Sequence, residues 1–143
     1  MPLVNVYLRE GTTPEYRQNV SAGIHRSMVE VLKIPEDDRF HFIHEFKPEN
    51  VQMQPVSFGI RRGEGAMVIQ LMFNDRAPEQ KAELFAAIRE NLRRCAGVPE
   101  EDILLCVVET NSENWRAAGR VVNPATGYDE RMDHALGDAA AAR

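Results

Sequence analysis

Apolar and polar residues alternate from the first positions of the chain. Val4, Val6 and Leu8 share one face and Leu3, Asn5 and Tyr7 the other, which predicts a half-buried strand over 3–9. Thr12-Thr13-Pro14-Glu15 reads as a helix start: a threonine cap, an early proline and a glutamate in the first turn. Tyr16, Val20, Ile24, Met28, Val31 and Leu32 follow at helical spacing, and the helix should end near Lys33, ahead of Ile34-Pro35. A second strand is predicted over 39–45. A polar connection from about 47 to 65 holds Pro48, Pro55, Gly59, Gly63 and Gly65, with a short strand over 51–58 and a turn at 60–63.

The second half repeats this punctuation. An apolar strand is predicted over 66–73. Pro78-Glu79 opens a helix whose inner face carries Leu84, Phe85, Ile88, Leu92 and Cys95. Pro99-Glu100-Glu101-Asp102 matches Pro35-Glu36-Asp37-Asp38, and residues 103–109 close with a strand. Pro14 and Pro78, like Pro35 and Pro99, stand 64 residues apart; the same step carries Pro2 to Ala66. The chain therefore reads as α+β: tandem β-α-β units, pseudo-repeats 2–46 and 66–110, forming a four-stranded mixed sheet with two helices on one face. The other face also carries apolar residues and needs a partner, so a closed oligomer with inward-facing sheets is expected. The domain should span 1–122. Residues 123–143 form a C-terminal extension, with a turn at 123–127, a short helix over 128–136 and a frayed end at 139–143.

Composition narrows the function classes. The 143 residues are 43% hydrophobic and 27% charged, with a net charge of −5. That argues against a general nucleic-acid binder, yet a local arginine can still hold a small anionic substrate. Cys95 and Cys106 fall in a predicted helix and a predicted strand, which suits free, buried thiols in a reducing cytoplasm. No cysteine–histidine ligand spacing is present, and His41 and His44, three apart on a strand, face opposite sides; no metal site is expected. With no signal peptide and no long apolar run, the expectation is a cytoplasmic protein away from membranes.

The candidate chemistry begins at Pro2. Once Met1 is removed, its nitrogen is a secondary amine; an α-amino group titrates at about 7.7–8.0, and burial or nearby cations lower that toward neutrality. Such a group serves as a general base or acid. Arg76 follows an apolar strand in a short loop, where a planar fork of donors suits a carboxylate. Asp38 either takes part in the chemistry or, like its repeat mate Asp102, starts a strand. Arg61 and Arg62 are a basic spot for an anion or plain turn residues. Trp115 and Phe40 are apolar walls that would keep water from Pro2, or packing residues.

Together, Pro2-Leu3-Val4, Ile34-Pro35-Glu36-Asp37-Asp38-Arg39-Phe40, Glu79-Gln80-Lys81, Pro99-Glu100-Glu101-Asp102-Ile103 and Val108-Glu109-Thr110-Asn111 with Asn114-Trp115 resemble the tautomerase superfamily. These are the relatives of 4-oxalocrotonate tautomerase and macrophage migration inhibitory factor; within them the chain is most similar to the malonate semialdehyde decarboxylase group. The resemblance implies a homotrimer of β-α-β-β-α-β subunits without a cofactor, with Pro2 as catalytic base or acid. It implies two cationic positions after the third strand that hold the substrate carboxylate. The second is Arg76; the first is Asn74, so half of that pair is absent here. It gives Asp38 an assisting role in decarboxylation and aligns Arg62 with an arginine of those relatives. The tail resembles the cis-3-chloroacrylic acid dehalogenase branch at Gly119-Arg120. Ala117 stands where that branch has a water-activating glutamate, and His25 lies about a turn early for its helix histidine, so hydrolytic dehalogenation is not expected. Three readings follow: a tautomerase of small 2-oxo or enol carboxylates, a malonate semialdehyde decarboxylase-like lyase, and a non-catalytic trimeric binding protein.

Overall fold

A computed structural model describes residues 2–121. Strand β1 (Leu3–Arg9) alternates as its sequence dictates, burying Val4, Val6 and Leu8. Helix α1 (Pro14–Leu32) starts at Thr13, whose hydroxyl accepts the Tyr16 N–H, and ends at Lys33 in the left-handed region. Strand β2 (His41–Phe46) begins two residues later than the sequence suggests. The next connection holds a 3-10 turn (Pro48–Asn50) and a small hairpin, β3 (Val56–Ser57) and β4 (Ile60–Arg61). The strand expected over 51–58 thus shrinks to two residues, and the turn expected at 60–63 falls instead on Phe58 and Gly59, both with positive φ. Strand β5 (Met67–Asn74), helix α2 (Pro78–Ala96) and strand β6 (Ile103–Thr110) repeat the first unit. A 3-10 turn (Ser112–Asn114) and a second hairpin, β7 (Arg116–Ala117) and β8 (Arg120–Val121), follow. The turn at 123–127, the helix over 128–136 and the tail at 139–143 lie outside the described residues.

The sheet order is β2-β1-β5-β6, with β1 parallel to β2, β5 parallel to β6, and β1 antiparallel to β5. Val4, Val6, Leu8, Met67, Ile69, Leu71 and Phe73 pack with Ile24, Met28, Leu84, Ile88 and Leu92, so both helices cover one face. Fully burying each such side chain contributes about 1.5–3 kcal/mol.

The two halves are related by a local two-fold axis. Asn5 pairs with Gln70 across the central ladder. In the helical layer Ser27 accepts a hydrogen bond from its repeat mate Asn91 at 2.8 Å, both residues buried. A Cβ on Gly23 would stand 3.3 Å from the Asn91 carbonyl oxygen, so the helices cross closely there. The register corrects one expectation. Val4 pairs with His41, and Ile69 with Leu105, the residue 64 after His41. The counterpart of Val4 is therefore Ile69, 65 residues on, and that of Pro2 is Met67 rather than Ala66. The link from β5 to α2 is one residue shorter than that from β1 to α1. In a strand such a one-residue change exchanges the faces, and this register keeps the apolar set inward.

Among the described residues, no element covers the sheet face opposite the helices. Phe42, Phe46 and Leu104 are exposed there, and Tyr7 stacks on His44 at 4.8 Å. Cys106 lies on this face, exposed, and Cys95 is half-buried; both thiols are free, which corrects the expectation that both are buried. No described helix is long and apolar enough to cross a membrane.

Candidate active site

Strand directions decide what Pro2 meets. It is buried, one residue ahead of Leu3, which pairs with Met72. Because β1 and β5 are antiparallel, the start of β1 lies against the end of β5, where Asn74 and Arg76 sit. Because β2 runs parallel to β1, its entry lies at the same end, and the Val4 N–H donates to the Phe40 carbonyl at 2.9 Å. Because β6 runs parallel to β5, Thr110, Ser112 and Trp115 arrive there too. The topology gathers Pro2, Asp38, Phe40, Asn74, Arg76 and Trp115 at one end of the sheet.

Arg62 is not gathered there within the chain. It follows β4 at the opposite end, its Nη1 on Ser57 Oγ, and lines a cavity of about 140 Å³ with Arg9 and Ala66. The length of β1, roughly 20 Å, separates it from Pro2.

Asn74 is a hub. Its Oδ1 accepts from Thr110 Oγ1 and from the Trp115 indole N–H, each at 3.0 Å, while its Nδ2 donates to Ser112 Oγ at 3.0 Å. The indole N–H also reaches Thr110 Oγ1 at 2.6 Å. The residue that replaces a cation in the resemblance thus anchors the only tryptophan of the chain. Arg76 lies with its guanidinium carbon 5.8 Å from the Phe73 ring centroid. Its Nη1 donates to the carbonyls of Asn74 and Asp75. Its Nε and Nη2 donate to no described residue, and a bound carboxylate could use them. Beside it Glu109 pairs with Lys81. Lys81 and Asp75 hold Glu109 below the usual carboxylate range, and the hydrogen bond to Glu109 raises Asp75.

Asp38 is buried in the loop entering β2. Its mate Asp102 accepts the Gly63 N–H at 2.7 Å, tying down the segment that enters β5. Behind Asp38 stands a polar cluster that the helical spacing of apolar residues did not disclose. Ser21 and His25, one turn apart, are buried on α1. Ser21 Oγ contacts His41 Nδ1 at 2.8 Å and accepts from Arg39 Nη2 at 2.8 Å. His25 Nε2 meets the Glu36 carbonyl at 2.8 Å. His41 and His25 lie edge to face, centroids 5.8 Å apart. Burial, then Arg39 and His25, lower the His41 pKa from 6.5 to about 4, so it is neutral at pH 7. A serine and a histidine at i and i+4 beside Val20 and Ile24 were the available signal. His44 points to the opposite face, bonded to Asn5 Oδ1 at 2.8 Å, as its spacing from His41 required. Phe40 is 47% exposed, and Phe58, at the β3–β4 tip, is 96% exposed; a phenylalanine at a positive-φ turn before glycine had no role in the sequence reading.

Comparison with known proteins identifies the relatives of the chain. Two family models, each described as tautomerase enzyme, match residues 38–117 and 2–61. The chain is 29% identical over 116 residues to the probable tautomerase YusQ of Bacillus subtilis (strain 168), covering 80% of this chain and 91% of that one. Among solved structures, malonate semialdehyde decarboxylase superposes with a TM-score of 0.77 at 21% identity, over 95% of this chain and 98% of that one. An asymmetric trimer of fused 4-OT gives 0.70 at 18% identity, over 83% and 94%. With family models spanning both halves, a doubled β-α-β unit and a proline at the head of its first strand, the chain belongs to the tautomerase enzyme family.

Proposed function

We propose that the protein is a cofactor-independent tautomerase of small 2-oxo or enol carboxylic acids, working through the amino group of Pro2 after removal of Met1. The neutral amine takes the proton of an enol hydroxyl and returns it to the carbon of the double bond, leaving the ketone; no atom is gained or lost. Arg76 pairs with the substrate carboxylate through Nε and Nη2 and steadies charge that develops on the enol oxygen. Trp115, held by Asn74 and Thr110, walls the site and lowers its polarity. The observation that carries this reading is the antiparallel β1–β5 ladder, which sets a buried Pro2 against the strand end bearing Arg76. A homotrimer with inward sheets is part of the proposal; the exposed apolar residues of the open sheet face and the trimeric fused 4-OT neighbour support it.

A lyase of the malonate semialdehyde decarboxylase type is the second reading. A cationic Pro2 would polarise a 3-oxo acid, with Asp38 assisting and carbon dioxide leaving. The burial of Asp38 at the Pro2 end favours it, whereas the engagement of Asn74 by three neighbours favours the tautomerase.

Intact-protein mass should be short by one methionine. Phenylpyruvate or 2-hydroxymuconate ketonisation should exceed malonate semialdehyde loss, and the pH–rate curve should climb near neutrality as the amine deprotonates. An unchanged ketonisation rate in Pro2→Ala refutes the mechanism.

A further inference from the structure

The two halves differ most tellingly behind their matching aspartates. Ser21, His25, Arg39 and His41 of the first half correspond, 64 residues on, to Phe85, Arg89, Ile103 and Leu105. Those four line an open groove of about 640 Å³ beside α2, largely apolar. The second half builds the same β-α-β unit without the polar network, so the fold does not require it. The network occurs only in the half that carries Pro2 and Asp38.

Partner chemistry constrains the ring protons. The Glu36 carbonyl can only accept, so His25 carries a proton on Nε2, which in the uncharged ring leaves a lone pair on Nδ1. Ser21 Oγ already accepts from Arg39, and among the described residues the acceptor for its own proton is His41 Nδ1. His41 is then protonated on Nε2. His25 Nδ1 and His41 Nε2 are both buried without a partner among the described residues. One is an acceptor and the other a donor, on rings 5.8 Å apart. His25 is 8% exposed. A single water can accept from His41 and donate to His25, satisfying both.

The cluster also brackets one residue. His25 holds the carbonyl of Glu36, two positions before Asp38; Ser21 holds the guanidinium of Arg39, one position after. We infer that His25 and His41 are positioning residues: a donor–acceptor pair, closed by one bridging water, that ties both sides of the Asp38 loop to α1 and so sets where the Asp38 carboxyl stands toward Pro2. This role rests on the functional reading above, in which Pro2 reacts and Asp38 assists.

Long-range proton–nitrogen spectra of the full-length protein at pH 7 test the pairing without any substrate. Each ring should show its proton on Nε2 and a bare Nδ1; a ring protonated at Nδ1 overturns the inference. Kinetics test the positioning. His25→Leu should lower kcat by about 10- to 100-fold, the scale of a misplaced group, with KM within about twofold. His25→Gln, whose amide can still donate to Glu36, should recover most of the rate. His41→Leu, which copies Leu105 of the second half, provides a variant whose folding the repeat itself supports, and it should lower kcat likewise. In an Asp38→Asn background neither loss should recur, because the residue being positioned is gone. Full-size losses in that background, or equal losses for His25→Gln and His25→Leu, overturn the role. An undiminished rate in Pro2→Ala removes the functional reading and the positioning role together, and the spectra alone then decide the ring pairing.

Discussion

His41 should make the protein sensitive to mild acid, and the structure sets the size of the effect. The unfolded chain binds a proton at this ring near pH 6.5, whereas the folded protein resists it down to about pH 4, through burial first, then Arg39 and His25. Between those values the unfolded state holds the extra proton, so stability falls as the pH descends. Above 6.5 the contribution is complete; below 4 both states are protonated and the loss levels off. Each tenfold change in proton affinity is worth about 1.4 kcal/mol, which caps the coupling at about 3.5 kcal/mol. His41 keeps some solvent contact, so about 2 kcal/mol should be lost between pH 7 and pH 4.5. Urea denaturation of wild type and His41→Leu at both pH values, at one protein concentration, isolates the term, because the carboxylates titrate alike in both proteins. The wild type should lose about 2 kcal/mol more than the variant. Parallel losses would refute the reasoning.

Gly23→Ala should destabilise by about 1–2 kcal/mol despite alanine's better helix propensity, because the new Cβ meets the backbone of α2 at 3.3 Å; a gain in urea midpoint would count against the close helix crossing. Asn74→Ala should cost about 1–3 kcal/mol by leaving Thr110 and Ser112 without their shared partner and the Trp115 indole with Thr110 alone, and the emission of the single tryptophan should shift to the red; an unchanged spectrum contradicts the hub. Leu104→Asp, on the open sheet face, should dissociate the proposed trimer in sedimentation velocity and raise Cys106 labelling by maleimide. Wild-type sedimentation and unchanged thiol labelling would show that this face is not the interface.

Much of the architecture was legible from period and punctuation. The alternation at Val4, Val6 and Leu8, the cap at Thr13 and the paired prolines placed β1, α1, β5, α2 and β6 to within about two residues, because local sterics and burial both favour those elements. The hairpins β3–β4 and β7–β8 escaped because two-residue strands carry no readable period. The exposed Cys106 escaped because a strand of mostly apolar residues, Ile103 to Val108, does not announce which side is covered.

Site residues divide in the same manner. Pro2, Asp38, Asn74, Arg76 and Trp115 could be nominated from resemblance and residue type, but their meeting depends on β1 running against β5 and along β2. Arg62, nominated on equal grounds, went to the far end of β1 by the same topology. The hydrogen bonds of the Ser21–His25–Arg39–His41 cluster, the one to the Glu36 carbonyl included, and the Ser27–Asn91 bond join residues 11 to 64 positions apart. Buried polar atoms must find partners, and which partners are in reach is known only once helices and sheet have packed.

The order of strands and helices, the doubled unit, and a proline ready to head the first strand were determined by the chain alone, since each follows from neighbours a few residues apart. The one-residue offset that makes Met67 the repeat counterpart of Pro2, the hub at Asn74 and the neutral histidine behind Asp38 were decided by tertiary structure. Each depends on groups distant in sequence being brought within hydrogen-bond range and out of water.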